Sequence, residues 1–403
     1  MSNNIEAPRE PNDLFKKGLV RRAEMPVFSE VETRVLPLGE FSEFILTEQP
    51  RLLAAGRIEA VIQKQRELLT NLDSETVERA AADPLLADIA MLDLTFALNA
   101  VVAPASGGTP PDEVEQLNAR FARVTGLQRT MTFQKIVTIN SKLPYEQMRT
   151  FTDGEVGETE RMFYYGHELM DVRLRETTRA VTDAAAVLTA DGREQDVEIS
   201  LMREVDNMNI FADYMKVFFR MPPEHFSAFR EYLKQYSDGT RNASGAFIGM
   251  PRLNLRLMGS ASFYEQFLDL GRQYFSIVEL PDIDQARITA QQDNHLVALC
   301  ERLQGNEQKR LAGILKQLIE PLHQFRLLHL KAVLKYVRGA IPEGDEDLEA
   351  KLTEPYESIL EDQSDVIRGT GGFIPGPLLR NMLRLDLQSL GRLEAILNEG
   401  GSQ

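Results

Sequence analysis

A mainly α fold is what this sequence predicts: a large helical bundle body preceded by a smaller helical part. Three observations carry that expectation. Apolar residues recur at helical spacing from about Glu40 onward, and convincing runs of alternating β-branched residues are scarce. No internal repeat emerges at a period of roughly 20–50 residues, which argues against a solenoid.

Taken in order, residues 1–40 are rich in proline and charge and read as an arm packed on the body or on a partner. Residues 41–140 form the smaller helical part and residues 141–403 the larger body. The join falls near "APASGGTPPDE" (Ala103 to Glu113), where Gly-Gly and Pro-Pro punctuate a surface loop. "FQKIVTI" (Phe133 to Ile139) is the best strand candidate, short and isolated. A long helix follows over "ETERMFYYGHELMDVRLRETTRAVTDAAAVL" (Glu158 to Leu188). "DGTRNASGAFIGMPRLNLRLMGSAS" (Asp238 to Ser262) has weak periodicity and four glycines. A loop of that length inside a compact protein is usually functional or disordered, and this one is too apolar for disorder. A further long helical stretch runs through Pro321, which either kinks it or starts a second helix. "RGTGGFIPGP" (Arg368 to Pro377) separates acidic helical sequence from a final amphipathic helix.

The 403 residues carry 45 Lys plus Arg against 61 Asp plus Glu, a net charge of −16. That balance repels phosphate backbones and anionic lipid, so neither nucleic acid nor a membrane surface is an expected partner. No signal-peptide core opens the chain, and no later run reaches the roughly 18 apolar residues of a spanning helix, so a cytoplasmic location is expected. The single Cys300 excludes internal disulfides, zinc sites built from several thiolates and c-type haem attachment. There is no G-x-S-x-G elbow, no P-loop and no G-x-G-x-x-G between a strand and a helix.

Two histidines interrupt apolar seams. Steps of four and three through the C-terminal helical stretch give Leu311, Leu315, Leu318, Leu322, Phe325, His329, Ala332 and Tyr336. The same test on the earlier long helix gives Phe163, His167, Met170, Leu174, Thr177, Val181, Ala184 and Leu188. A histidine in such a place is either a neutral core imidazole with one hydrogen-bond partner or a ligand for a metal or haem held within helices. Spacing alone leaves both open. His225 is expected in a solvated first turn, His295 lies beside an apolar stripe, and His323 forms "EPLH" with Glu320. That E-x-x-H match raises a di-iron oxidase, which needs the motif twice plus two more carboxylates. None of the other four histidines has Glu three positions earlier.

Several segments, in order, resemble the indoleamine 2,3-dioxygenase superfamily, most closely its branch containing monodechloroaminopyrrolnitrin synthase. "FRLLHLKAVLKY" (Phe325 to Tyr336) is similar to the F-R-x-x-H segment that supplies the family's proximal haem histidine. "IRGTGGFIP" (Ile367 to Pro375) is similar to its G-[ST]-G-G loop at the haem edge. "GSASFYEQFLDLG" (Gly259 to Gly271) resembles the G-S-A segment lining the distal pocket, and "HFSAFREYL" (His225 to Leu233) the helix whose Phe and Arg contact substrate. "MRTFTDG" (Met148 to Gly154) is similar to an R-[SF]-[YF]-T-G stretch of the synthase branch. The resemblance spans roughly Met148 to Leu397.

The resemblance implies a haem-binding helical domain over residues 141–403, with b-type haem held by His329 and edged by Ser260, Gly369, Gly371 and Gly372. It implies substrate contacts from Phe226, Phe229, Arg230, Ala261 and Thr370, with Arg230 pairing a carboxylate. For Arg230 a surface salt bridge with a nearby glutamate is the competing reading, and for the two phenylalanines a core role. His167 departs from the family: aligning the helices puts it near the distal pocket, where it would tune the activation of O₂. The expected function is therefore haem-dependent oxidation of an aromatic, tryptophan-like amino acid or related metabolite with O₂ or peroxide. Homodimerisation stays open. The alternatives are the di-iron oxidase and a non-catalytic helical protein that binds a small molecule.

Overall fold

The computed structural model describes residues 34–233 apart from 104 and 191–193, then 249–260, 280–337 and 375–399, with 265, 268, 269 and 272 as isolated positions. All elements among them are helical, so the mainly α expectation holds. The chain divides into two compact units. Among the described residues the first takes 34–168 and 221–233, and the second 169–220, 249–260, 280–337 and 375–399.

The first unit opens with α1 (Glu40–Thr47), α2 (Gln49–Ala54), α3 (Ile58–Thr70) and α4 (Ser74–Ala82). These lead to α5 (Pro84–Val102) and α6 (Asp112–Thr125). Asp83 starts α5 cleanly: its carboxylate accepts from the amides of Leu85 and Leu86, with Pro84 in the first turn, where a missing N–H costs nothing. α5 is long and apolar enough to cross a bilayer by length and composition. In this fold it is the core helix of its unit, with Ile89, Met91, Leu92, Leu94 and Phe96 all buried. Its buried Asp93 receives Arg149 Nε at 2.7 Å, and Arg149 also donates to the carbonyls of Val35 and Gln147. Arg149 of the "MRTFTDG" stretch is thereby committed to holding the core together.

The expected strand at Phe133 to Ile139 is instead a π-helical turn, Gln134–Ile139. A lone strand has no ladder partner for its backbone groups, and a helical turn satisfies them internally. Ile136, Val137 and Ile139 are buried on several sides of this turn, which alternation cannot describe. Ala103 to Glu113 is irregular only up to Pro111, where α6 begins. Long helix α7 (Gly154–Thr189) carries the unit boundary between Glu168 and Leu169.

In the second unit α8 (Glu194–Phe218) and α14 (Pro375–Asn398) both pack on α13 (Gly305–Val337), with α10 (Gly249–Leu257), α11 (Leu280–Gln291) and α12 (Leu296–Arg302) around them. α13 is one helix running through Pro321, which neither ends it nor starts another. Its seam is buried at Leu311, Leu315, Leu318, Leu322, Phe325, Ala332 and Tyr336, as the four-and-three spacing requires. The Tyr336 hydroxyl closes that end by donating to the carbonyl of Phe218 at 2.5 Å. The stretch Asp238 to Ser262, expected as a loop, contains helix α10, which buries Leu253, Asn254 and Leu257.

Candidate functional site

In the first unit a set of rings gathers on α7 and on α9 (Pro223–Arg230), whose prolines at 222 and 223 set its entry. Phe163 is the hub. Its ring centroid lies 4.2 Å from that of His167, 5.6 Å from Phe226 and 5.2 Å from Phe229, and Phe133 meets His167 edge-on at 6.2 Å. Phe229 is fully buried, while Phe163, His167 and Phe226 are half-buried. The structure therefore brings His167, Phe226 and Phe229, picked out separately in the sequence, into one cluster.

His167 Nδ1 lies 2.7 Å from the carbonyl oxygen of Phe163. A carbonyl can only accept, so Nδ1 carries a proton. Arg230 closes α9 and is buried at 8 % exposure. Burial pulls its pKa down, with Glu231 opposing the shift. The solvated first turn expected for His225 is corrected as well: it is half-buried, and its Nδ1 lies 2.9 Å from Thr159 Oγ1.

Behind the rings sits Glu160, fully buried and unremarked in the sequence. It accepts from the amides of Phe151 and Thr152, from Thr152 Oγ1 at 2.6 Å and from the Tyr164 hydroxyl at 2.7 Å. Burial lifts its carboxyl to about 7 against those donors. Its evident work is to pin the turn that opens α7.

The second unit holds His329, half-buried on the α13 seam with Phe325 beside it at a centroid separation of 5.6 Å. Its setting is dry enough for desolvation alone to push the pKa down to about 4. At neutral pH the imidazole is uncharged, with a lone pair to give. Among the described residues no group hydrogen-bonds to it. No family model and no characterised protein matches this chain. The reading of His329 thus stands on its own geometry and on the motif order.

Of the remaining expected residues, Ser260 lies among those described. The Ser260 hydroxyl donates to Glu265 at 2.5 Å, and Glu265 is in turn paired with Arg287. Ala261, Gly369, Thr370, Gly371 and Gly372 lie outside the described residues. Buried His295 caps α12, its Nδ1 accepting from the amide of Ala298, and burial takes its pKa down to about 4. Gly259, with φ of 88°, lies so close to that ring that a Cβ would come within 2.7 Å of it. The E-x-x-H pair does not converge: Glu320 is exposed beside Lys316, whereas His323 Nδ1 faces Asp386 Oδ2 at 3.4 Å. Among the described residues no three His, Cys, Asp or Glu side chains gather as a metal group.

Sequence reasoning also missed a buried polar cluster around Arg326, three residues before His329. Arg326 Nη1 donates to Asp386 Oδ1 and, at 3.3 Å, to the carbonyl of Met382, and Nη2 donates to Asn254 Oδ1. A signal was present. Steps of three and four along α14 give Leu379, Met382, Asp386, Ser389, Leu393 and Ile396, all buried, so Asp386 interrupts its seam as the histidines interrupt theirs.

Proposed function

We propose that the protein is a haem-dependent oxidoreductase in which His329 would hold the haem iron and the substrate is an aromatic amino acid or a related metabolite. The observation that carries this reading is His329 itself: a neutral, desolvated imidazole on a leucine-rich seam, in an F-R-x-x-H context, with no described protein partner. Iron binds the unprotonated imidazole, and a pKa near 4 removes proton competition at neutral pH. When bound, haem supplies the redox chemistry that lets O₂ or peroxide oxidise an aromatic ring.

Within the first unit, the aromatic cluster is a binding surface in its own right. Phe163, Phe226 and Phe229 provide an apolar wall against which an aromatic substrate packs and from which water is excluded. His167, held through Nδ1 by the Phe163 carbonyl, is the residue that would take up a proton from a substrate N–H. Arg230 supplies a fixed charge and a planar fork suited to a carboxylate, and its position at the end of α9 favours a cation. A cytoplasmic setting fits the acidic composition and the single unpaired cysteine.

The test is spectroscopic. Purified protein reconstituted with haemin is expected to give a Soret band that shifts when the reduced form takes up CO. His329→Ala, with helicity intact, is expected to lose it. A protein that stays colourless in haemin would sink the reading and leave a helical small-molecule-binding protein; iron uptake without a Soret band would revive a di-iron site.

A further inference from the structure

We infer that the buried Arg326–Asp386–Asn254 cluster is a clasp that positions the His329 turn, an assignment that rests on the haem reading above. Arg326 lies one turn before His329 on a neighbouring face of α13. Its guanidinium, 1 % exposed, reaches Asp386 and the Met382 carbonyl on α14 with one nitrogen and Asn254 on α10 with another. Met250 Sδ on α10 lies 3.9 Å from Nη2. Asp386 and Asn254 are both fully buried.

The three clasped helices are those that adjoin the three motif segments. α13 carries F-R-x-x-H. α10 ends two residues before Gly259, where "GSA" begins, and α14 starts at Pro375, directly after the segment containing "GTGG". One planar, permanently charged group therefore sets the register of the helix bearing the ligand, the helix entering one segment and the helix leaving the other. Leucine packing along the seam tolerates small rotations of α13 with little loss, because its contacts are non-directional. A fork of directed donors does not: any rotation leaves a buried charge short of its partners. The clasp thus supplies the rotational specificity that the apolar seam lacks, one turn from the imidazole that needs it. Arg326 is a positioning residue; it is spent on its partners and touches no substrate.

The test replaces the whole ion pair, since exchanging both members for apolar residues of similar volume commonly preserves folding. Wild type, Arg326→Met/Asp386→Leu and Arg326→Lys are compared by circular dichroism, by haemin titration and by resonance Raman of the ferrous Fe–His stretch. The expected result is a folded double variant whose haemin affinity falls about ten-fold or more, the usual scale for groups that orient a metal ligand. Its Fe–His stretch shifts or broadens, and Arg326→Lys, which keeps the charge and loses the fork, shares the shift. Where the double variant fails to fold, Asn254→Leu, which removes one arm and leaves the ion pair, is read the same way. A folded variant with unchanged affinity and an unchanged stretch overturns the clasp and spares the haem reading. Wild type that takes up no haemin overturns both.

Discussion

Lys135 lies on the π-helical turn with its side chain wholly buried, and its Nζ donates to Thr95 Oγ1 at 3.0 Å and to the Gln128 carbonyl at 2.6 Å. Among the described residues no carboxylate compensates its charge, and desolvation lowers the pKa from 10.5 to about 7. Because the native pKa is depressed, the unfolded chain binds more protons between about pH 7 and pH 10.5, and stability rises with pH across that window. At ~1.4 kcal/mol per pH unit the whole fall is worth about 5 kcal/mol, of which about 3.5 kcal/mol is expressed between pH 7 and pH 10. Lys135→Met removes this dependence together with the hydrogen bonds to Thr95 Oγ1 and the Gln128 carbonyl, a loss of about 1–3 kcal/mol at every pH. The variant should therefore be the more stable protein at pH 7 and the less stable one by pH 10. Urea unfolding followed by circular dichroism, run on both proteins at four pH values across that range, reads the crossing. Parallel curves would refute the argument and mean that Lys135 stays charged in its buried site.

Three further outcomes follow from buried groups. Arg149→Met strips buried Asp93, whose carboxyl desolvation already pushes up, of its ion-pair partner, and a loss of about 3–5 kcal/mol is expected in the same unfolding assay; a change under 1 kcal/mol would show that the pair contributes nothing net. Gly259→Ala forces a side chain into a positive-φ position and against the His295 ring, so its melting temperature should fall by an amount equivalent to about 1–3 kcal/mol. Burial pushes the Cys300 thiol up to about 12, so iodoacetamide at pH 8 should leave native protein unlabelled and modify it only in denaturant; rapid labelling of the native form would contradict that burial.

How much of this was legible depended on what the amino-acid pattern records. The seam of α13 could be read because helical burial repeats every three or four residues, and Leu311 to Tyr336 obeyed it through a proline that local rules treat as a break. The helix tolerates Pro321 because packing on α8 and α14 outweighs one missing backbone hydrogen bond. Phe133 to Ile139 was misread for the opposite reason. Its β-branched residues match strand propensity, but that propensity reflects a half-buried pleated surface, and no second strand exists among the described residues to provide one. The α10 segment was missed because its apolar positions are Met250, Leu253, Asn254 and Leu257, with an asparagine where periodicity looks for a hydrophobe. That asparagine is there for Arg326, a partner more than seventy residues away that no local window can see.

The same reasoning separates the polar residues that interrupt apolar seams. Asp386 spends its charge on Arg326, and His167 gives its Nδ1 proton to a carbonyl one turn back. His295, buried beside another stripe, accepts an amide at a helix start. Each of these has a protein partner that offsets part of the cost of taking a polar group out of water, so a core role is sufficient for it. His329 differs in that its environment is dry enough to hold it neutral while no described side chain or backbone group bonds to it. A lone pair held unprotonated in such a setting is costly as packing and useful as a ligand. Energetics therefore singles out His329 among the seam histidines as the residue on which the haem proposal rests.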